Sequence, residues 1–421
     1  MDVRRRVLLA IVCGVAVASV YAAQPVLAPM GESLGVPAGR LGWIVSIGQF
    51  GYLAGLVLLV PLGDVVANRR RLIAVHLMIT AAGLVLTAAA SAAWMAFAGL
   101  ALAGMFAVVV QTAVAYAASV SPPAERGRNI GAVTSGVVVG ILGARVVTGV
   151  LAEQWGWRSV YVVLGVLALG LAALVLRALP RADRSHRPMR YRQAVVSSGG
   201  LFGQRLFLTR GLIAFFLFAS FGTLWSGLSL PLADAPWELS ESQIGMFGVA
   251  GLVGALGAAR AGRWADSGRA APMAGLALAL LIASWAATAQ LPRSLWLLII
   301  GIVVLDFAVQ VVHVSNQHVL TTVHPERTSS VIAGYMVFYS LGSALGAAAA
   351  TSVFASCGWA GSSLLGAGFA VCALIVWATG REPGLQRSGL PIGGGRRTPC
   401  PEETRNAEAG QNAERQTSAC P

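Results

Sequence analysis

Lysine is missing from all 421 residues, and each of the thirty basic side chains is arginine. The replacement runs through the whole chain, so we read it as the base composition of a GC-rich bacterial genome rather than as chemistry. Charge of either sign is scarce. Only 11% of residues are charged and 56% are hydrophobic, with a mean hydropathy of +0.72, where a soluble domain carries about a quarter charged residues. A water-soluble fold is excluded on that ground. The five cysteines (13, 357, 372, 400 and 420) have no paired spacing, which supports neither a disulfide framework nor a zinc site. No Walker loop, metal-ligand cluster or serine or cysteine nucleophile arrangement occurs. No cofactor, metal, ATP-driven pumping or enzymatic chemistry is therefore expected. The pI near 10.7 does not point to nucleic acid, because the arginines gather at the ends of apolar runs, where they set topology.

What is present is a series of apolar runs. Twelve spans of about twenty residues fall near 7–28, 41–62, 72–91, 94–118, 130–152, 158–178, 209–231, 242–261, 272–290, 295–317, 329–354 and 360–379. Each must be helical, since lipid offers no partner for backbone N–H and C=O groups. The opening Met1-Asp-Val-Arg-Arg-Arg6 and its apolar run resemble a signal peptide. No convincing cleavage site follows and the run is long enough to span, so it is taken as the first membrane helix. An even number of spans puts both termini on one side. Loops on that side hold twenty arginines, against Arg40, Arg158 and Arg293 on the other, which makes it the cytoplasm. Residues 179–208 form a basic linker between two six-span halves, 1–178 and 209–380. The polar tail 381–421 is too poor in large apolar residues to build a core and is expected to be disordered.

The stretch Val60-Pro-Leu-Gly-Asp-Val-Val-Ala-Asn-Arg-Arg-Arg-Leu72 organises the chain. A related one, Gly262-Arg-Trp-Ala-Asp-Ser-Gly-Arg269, returns 202 positions later when Asp64 is set against Asp266. At that offset Gly140 matches Gly342, and Gly156-Trp157 matches Gly358-Trp359. This is the sign of a parallel internal repeat.

Twelve helices in two repeated halves, with a charged hinge after the second helix of each, resemble the major facilitator superfamily over about residues 7–379. The family signature reads Gly-x-Leu-Ala-Asp-Arg-x-Gly-Arg-Arg/Lys. Leu62, Asp64 and Arg69 match it, while Val60, Val65, Ala67 and Asn68 replace the first Gly, the Arg after Asp, the second Gly and the next Arg. The second copy keeps Gly262, Ala265, Asp266, Gly268 and Arg269 with one residue deleted. The resemblance implies an all-α integral membrane protein of the major facilitator fold that works by alternating access.

Asp64, Arg69, Arg70, Asp266 and Arg269 form a candidate gating hinge. A carboxylate at a helix end can accept bonds from the N-terminus of a neighbouring helix, whose dipole favours negative charge. The eleventh span, starting at Thr328-Ser329-Ser330, is the expected neighbour. Under the other reading, these charges anchor helix ends and set topology. In the fifth span, proton-coupled drug antiporters of the superfamily carry Gly-x8-Gly-x3-Gly-Pro-x2-Gly-Gly. Here the chain reads Gly131-x8-Gly140-x3-Ala144-Arg145-x2-Thr148-Gly149. Those antiporters also have an arginine in span four, where Leu100 stands here. Arg145 at the proline position either pairs or lines a pathway, or snorkels about 10 Å to the outer interface.

Span ten holds the richest polar face. Asp306, Gln310, His313 and Gln317, spaced four, three and four, share one stripe. Carboxylate, amide and imidazole suit polar recognition and proton exchange, although such groups can equally serve packing between helices. Asp306, Arg145 and His313 are the proton-coupling candidates. In the family fold, spans 1, 4, 7 and 10 line the central cavity, which ranks Gln24, Gln111 and Trp225 as substrate candidates beside Gln310 and Gln317, with Tyr21 and Tyr339 behind them. His76 reads as structural.

The expected function is secondary transport of a small organic solute across a bacterial inner membrane by a monomeric carrier. Proton-coupled efflux of drug-like or metabolic compounds by antiport is the first reading and nutrient import by symport the second. A non-transporting sensor or assembly protein is the reading from another class. The topology is directly testable. Fusions of green fluorescent protein at residues 195 and 395 should fluoresce, and a periplasmic phosphatase fusion active at 195 would reverse the orientation.

Overall fold

The computed structural model describes residues 1–62, 66, 68–122, 125–180, 200–258, 270–324 and 328–380, and among these there is no β-strand. Among the described residues, twelve helical passes run back and forth. Helix α1 is Val3–Leu34, interrupted after Tyr21 by a single 3-10 turn, Gln24–Val26, which Pro25 imposes. There follow α2 (Ala38–Leu58), α3 (Arg69–Ala88), α4 (Ala93–Ser119), α5 (Arg126–Trp155), α6 (Trp157–Ala178) and α7 (Arg205–Ala233). Next come α8 (Glu241–Gly257), α9 (Ala270–Thr288) and α10 (Leu295–Val323). The final run, Thr328–Thr379, is two passes, α11 (328–357) and α12 (359–379), joined where Gly358 leaves helical geometry at φ 62° and ψ −163°.

The repeat is visible in the backbone. Gly156, between α5 and α6, has φ +76°, and Gly358, at the matching corner between α11 and α12, has φ +62°. An L side chain is strained at either value. The tryptophan after each glycine ties the corner down: Trp157 Nε1 donates to Ser33 Oγ at 2.9 Å and Trp359 Nε1 to Thr288 O at 2.8 Å. Within each half, small residues bring helices to backbone contact, as packing without a hydrophobic driving force requires. A Cβ on Gly136 or Gly140 would overlap Ala10 O or Gly14 O of α1. In the second half, one on Gly342 or Gly346 would overlap Phe215 O or Ala219 O of α7. Helix α7 starts at Arg205, four residues before the sequence reading placed it. Lipid sets only the apolar part of a helix, and the first turn runs on into the polar flank. Asp64, Asp266 and Arg269, most of the linker (181–199) and the tail (381–421) lie outside the described residues.

The halves meet along two symmetric seams on the membrane side away from the amino terminus, the distal side. In the α2–α11 seam, Gly42 N donates to Thr351 Oγ1 (2.9 Å), Ser46 Oγ to Ala344 O (2.7 Å) and Ser340 Oγ to Gln49 O (2.7 Å). In the α5–α8 seam, Glu153 Oε2 accepts from Ser240 Oγ (2.9 Å) and Ser242 N (3.1 Å), so one half supplies a carboxylate to the first turn of a helix in the other. Further along, Gly245 and Gly248 lie against the carbonyls of Arg145 and Leu142. Hydrogen bonds between described residues of the two halves all lie on the distal side or at mid-membrane. On the terminal side Gln310, His313 and Gln317 stay only half-buried. The described residues therefore show the two halves closed against each other on the distal side.

Gly42 shows how tight the closure is, because an added Cβ would overlap Ala347 O. Gly42→Val should cost about 1–3 kcal/mol of overpacking in the closed state, enough to shift a two-state population about tenfold or more. A cysteine introduced at Val36 should then react faster with a thiol reagent supplied from the distal side. Gly39→Ala, which meets only Ala355 Cβ at 3.4 Å, should leave the rate unchanged.

Candidate functional site

The break in α1 leaves Gln24 at the centre of the molecule, and α5 brings Arg145 to it. The Arg145 side chain is 2% exposed, so it does not reach the outer surface. Its Nε and Nη2 donate to Gln24 Oε1 at 3.1 and 2.7 Å, and Nη1 donates to Ile141 O at 2.9 Å. The guanidinium also lies 3.8 Å from the ring centre of Trp225 on α7, with Phe221 and Tyr21 farther off at 5.8 and 5.9 Å. Gln24 Nε2 donates onward to Ser226 Oγ at 3.3 Å. One cation thus joins the two halves through an amide on one side and an indole face on the other.

Asp306 on α10 is 2% exposed and sits against Gly251 of α8, beside the Trp225 ring. Its Oδ2 and Trp225 Nε1 miss well-formed hydrogen-bond geometry with any group, but they lie within reach of each other, so the indole N–H is a weak donor to the carboxylate. Arg145 and Asp306 likewise feel each other's charge but do not come within ion-pair distance. Helix α10 therefore holds a carboxylate with spare acceptor capacity next to a cation whose partners are all neutral.

Toward the terminal side the cluster continues. The Tyr21 and Tyr339 hydroxyls are hydrogen-bonded across the two halves. Phe218 packs between Tyr339 and His313, with ring centres 4.0 and 5.2 Å away. His313 bonds Tyr335 OH through Nδ1 and the Gln317 amide nitrogen through Nε2, each at 3.1 Å. Asn316 Oδ1 accepts from Arg210 Nη1 at 3.1 Å.

The structure thus brings Tyr21, Gln24, Arg145, Trp225, Asp306 and Tyr339 into one cluster, with His313 and Gln317 in a second cluster one aromatic ring away and Gln310 between them on α10. Gln111 stays apart, donating to Tyr52 OH at 3.4 Å inside the first half. His76 is buried edge-on to Phe106. Arg69 of the hinge donates to the carbonyl of Ala115 in its own half, and Arg70 to that of Leu179 at the start of the linker. Sequence reasoning missed Phe218, Phe221 and Ser229, for which an apolar helix offers no signal, since aromatic residues and serines recur along it.

A small cavity of about 10 Å³ opens on Gln24, Arg145, Trp225, Leu228 and Ser229. A cavity of about 530 Å³ is an apolar groove on the outer face of α1, α5 and α6, bordered by the exposed Val7, Val139 and Val147, away from this cluster.

The family model described as Major Facilitator Superfamily matches residues 9–234 and again 210–406. The chain belongs to the major facilitator superfamily. It is 41% identical over 375 residues to the transporter YgaY of Escherichia coli (strain K12), covering 89% of this chain and 95% of YgaY. It is 32% identical over 357 residues to SCO4007 of Streptomyces coelicolor, classed among transporters, covering 84% and 82%. Among solved structures it is similar to a bacterial homolog of the human lysosomal transporter Spinster, with a TM-score of 0.73 and 16% identity over 89% of this chain and 95% of that one. This superfamily member is accordingly a multi-pass membrane transporter rather than an enzyme, and its polar cluster lies where the two halves of a major facilitator meet.

Proposed function

We propose that the chain is a proton-coupled secondary transporter of small organic solutes in a bacterial inner membrane, and that Asp306 carries the coupling proton. The observation that supports this most is burial without full compensation: Asp306 is 2% exposed, forms no ion pair and has the weak approach of the Trp225 N–H. An ionised carboxylate is costly there unless it is compensated, so its charge state is tied to which side the cavity faces. His313, seven residues or about 10 Å along α10 and half-buried, lies on the route from Asp306 to the terminal side. With the termini in the cytoplasm, the distal seams are the periplasmic gate, and it is closed in the described residues. The chain is proposed to act as a monomer.

Efflux by antiport is the reading that the likeness of the fifth span to drug antiporters carries. In that case substrate and proton compete, and substrate affinity rises with pH. Import by symport is the second reading, supported by Arg145 standing beside Asp306, because protonating Asp306 leaves a buried positive charge for a substrate to balance. Affinity then falls as pH rises. The Asp64 latch to the start of α11 remains part of the proposal, closing the cytoplasmic side in the opposite state.

Asp306→Asn in proteoliposomes, with a substrate found by thermal-shift screening, should abolish accumulation driven by a pH gradient while leaving counterflow exchange. Asn preserves shape and cannot titrate. Accumulation that survives the substitution would end the coupling role, and absence of counterflow in the unsubstituted protein would favour a sensor.

A further inference from the structure

The donors around Arg145 have more to give than the protein takes up. Gln24 Oε1 and Ile141 O are its hydrogen-bond acceptors, both neutral. A neutral acceptor serves a buried guanidinium less well than an anion, whose hydrogen bonds are about twice as strong. The neighbouring cavity lies on the contact between halves, with Gln24 and Arg145 on one wall and Trp225, Leu228 and Ser229 on the other. On the second wall, buried Ser229 Oγ has no hydrogen-bond partner, and Trp225 Nε1 has only the weak approach of the Asp306 carboxylate, which protonation of Asp306 would release. Guanidinium and indole N–H can only donate, and a hydroxyl is free to donate. Asp306, the nearby acceptor, becomes a donor once protonated.

We infer that the substrate is a small organic monoanion, a carboxylate in the simplest case, whose acidic head binds Arg145, Trp225 Nε1 and Ser229 Oγ. This rests on the proposed role of Asp306. Charge balance carries the argument further. Arg145 is always charged and offsets Asp306 when that carboxylate is ionised. Protonation of Asp306 leaves one uncompensated positive charge, which a monoanion neutralises, whereas a cationic head would bury like charges together. Proton and anion therefore bind together, which selects the symport reading. In the described state the cavity holds about one water-sized body. Its walls come from opposite halves, so it widens as they part, while Tyr21 and Phe221 offer apolar surface to the body of the substrate.

The test uses the full-length protein in detergent and a carboxylate series (formate, acetate, benzoate and phenylacetate), with benzamide and benzylamine as neutral and cationic counterparts of similar shape. Thermal unfolding and calorimetry near pH 6 and near pH 8 read the binding. At least one carboxylate should bind, about tenfold or more tightly at the lower pH, and neither counterpart should compete. Trp225→Phe, which keeps the ring and removes the donor, and Ser229→Ala should each weaken binding about tenfold, and Arg145→Gln should abolish it. Failure of every carboxylate to bind, equal binding of benzamide or benzylamine, or full affinity in Trp225→Phe and Ser229→Ala overturns the inference. Carboxylate binding that ignores pH supports the anion site and removes the coupling role of Asp306. Loss of gradient-driven accumulation in Asp306→Asn without any carboxylate binding does the reverse.

Discussion

A guanidinium buried at the centre of a membrane protein without a carboxylate in contact is the constraint from which the rest follows. Arg145 cannot shed its charge, and desolvating it costs several kcal/mol. The structure meets that cost with an amide oxygen, a backbone carbonyl and the face of Trp225. The amide belongs to the first half and the indole to the second, so satisfying the charge also holds the halves together. Whatever separates them must give the guanidinium a substitute, and this ties the conformational change to what occupies the cavity.

The internal repeat explains where that charge sits. In the 202-residue register, Gln24 matches Ser226, and these two equivalent positions touch each other, as residues beside a pseudo-two-fold axis must. Arg145 matches Ala347. Ala347 receives Gly42 of α2 in one seam, and Arg145 receives Gly245 of α8 in the other. The seams share their geometry and differ in chemistry: one has an alanine methyl where the other has a cation. Symmetric packing alone would make a gate indifferent to charge. The asymmetry makes the gate respond to charge, through Asp306 on the adjoining helix.

Much of the fold was legible because lipid imposes few rules and applies them strongly. Apolar runs had to be helices, and matching Gly-Trp pairs marked matching corners at Gly156 and Gly358. The stripe on α10 was legible too, since four-three-four spacing places Asp306, Gln310, His313 and Gln317 on one face. The position of Arg145 within an apolar span was legible from the sequence. Its partners were not. Gln24 is 121 positions away and is presented by a 3-10 break at Pro25, which periodicity does not reveal. The contact between Tyr21 and Tyr339 spans 318 positions. The unpartnered state of Ser229 Oγ and the approach of Trp225 Nε1 to Asp306 are properties of packing, which no single helix records. The hinge residues Asp64 and Asp266 were conspicuous in the sequence, yet they fall outside the described residues, so the sequence remains their warrant.

The central claim is that Arg145 holds the distal side closed by bridging Gln24 and Trp225. The most direct measurement is the distance distribution between spin labels at Val36 and Ser356, one on each half of the distal face, in the substrate-free protein and in Arg145→Gln. A narrow, short distance in the unsubstituted protein and a second, longer population in Arg145→Gln are expected. An unchanged short distance in the variant would show that the two seams close the gate without the guanidinium, and would contradict the account.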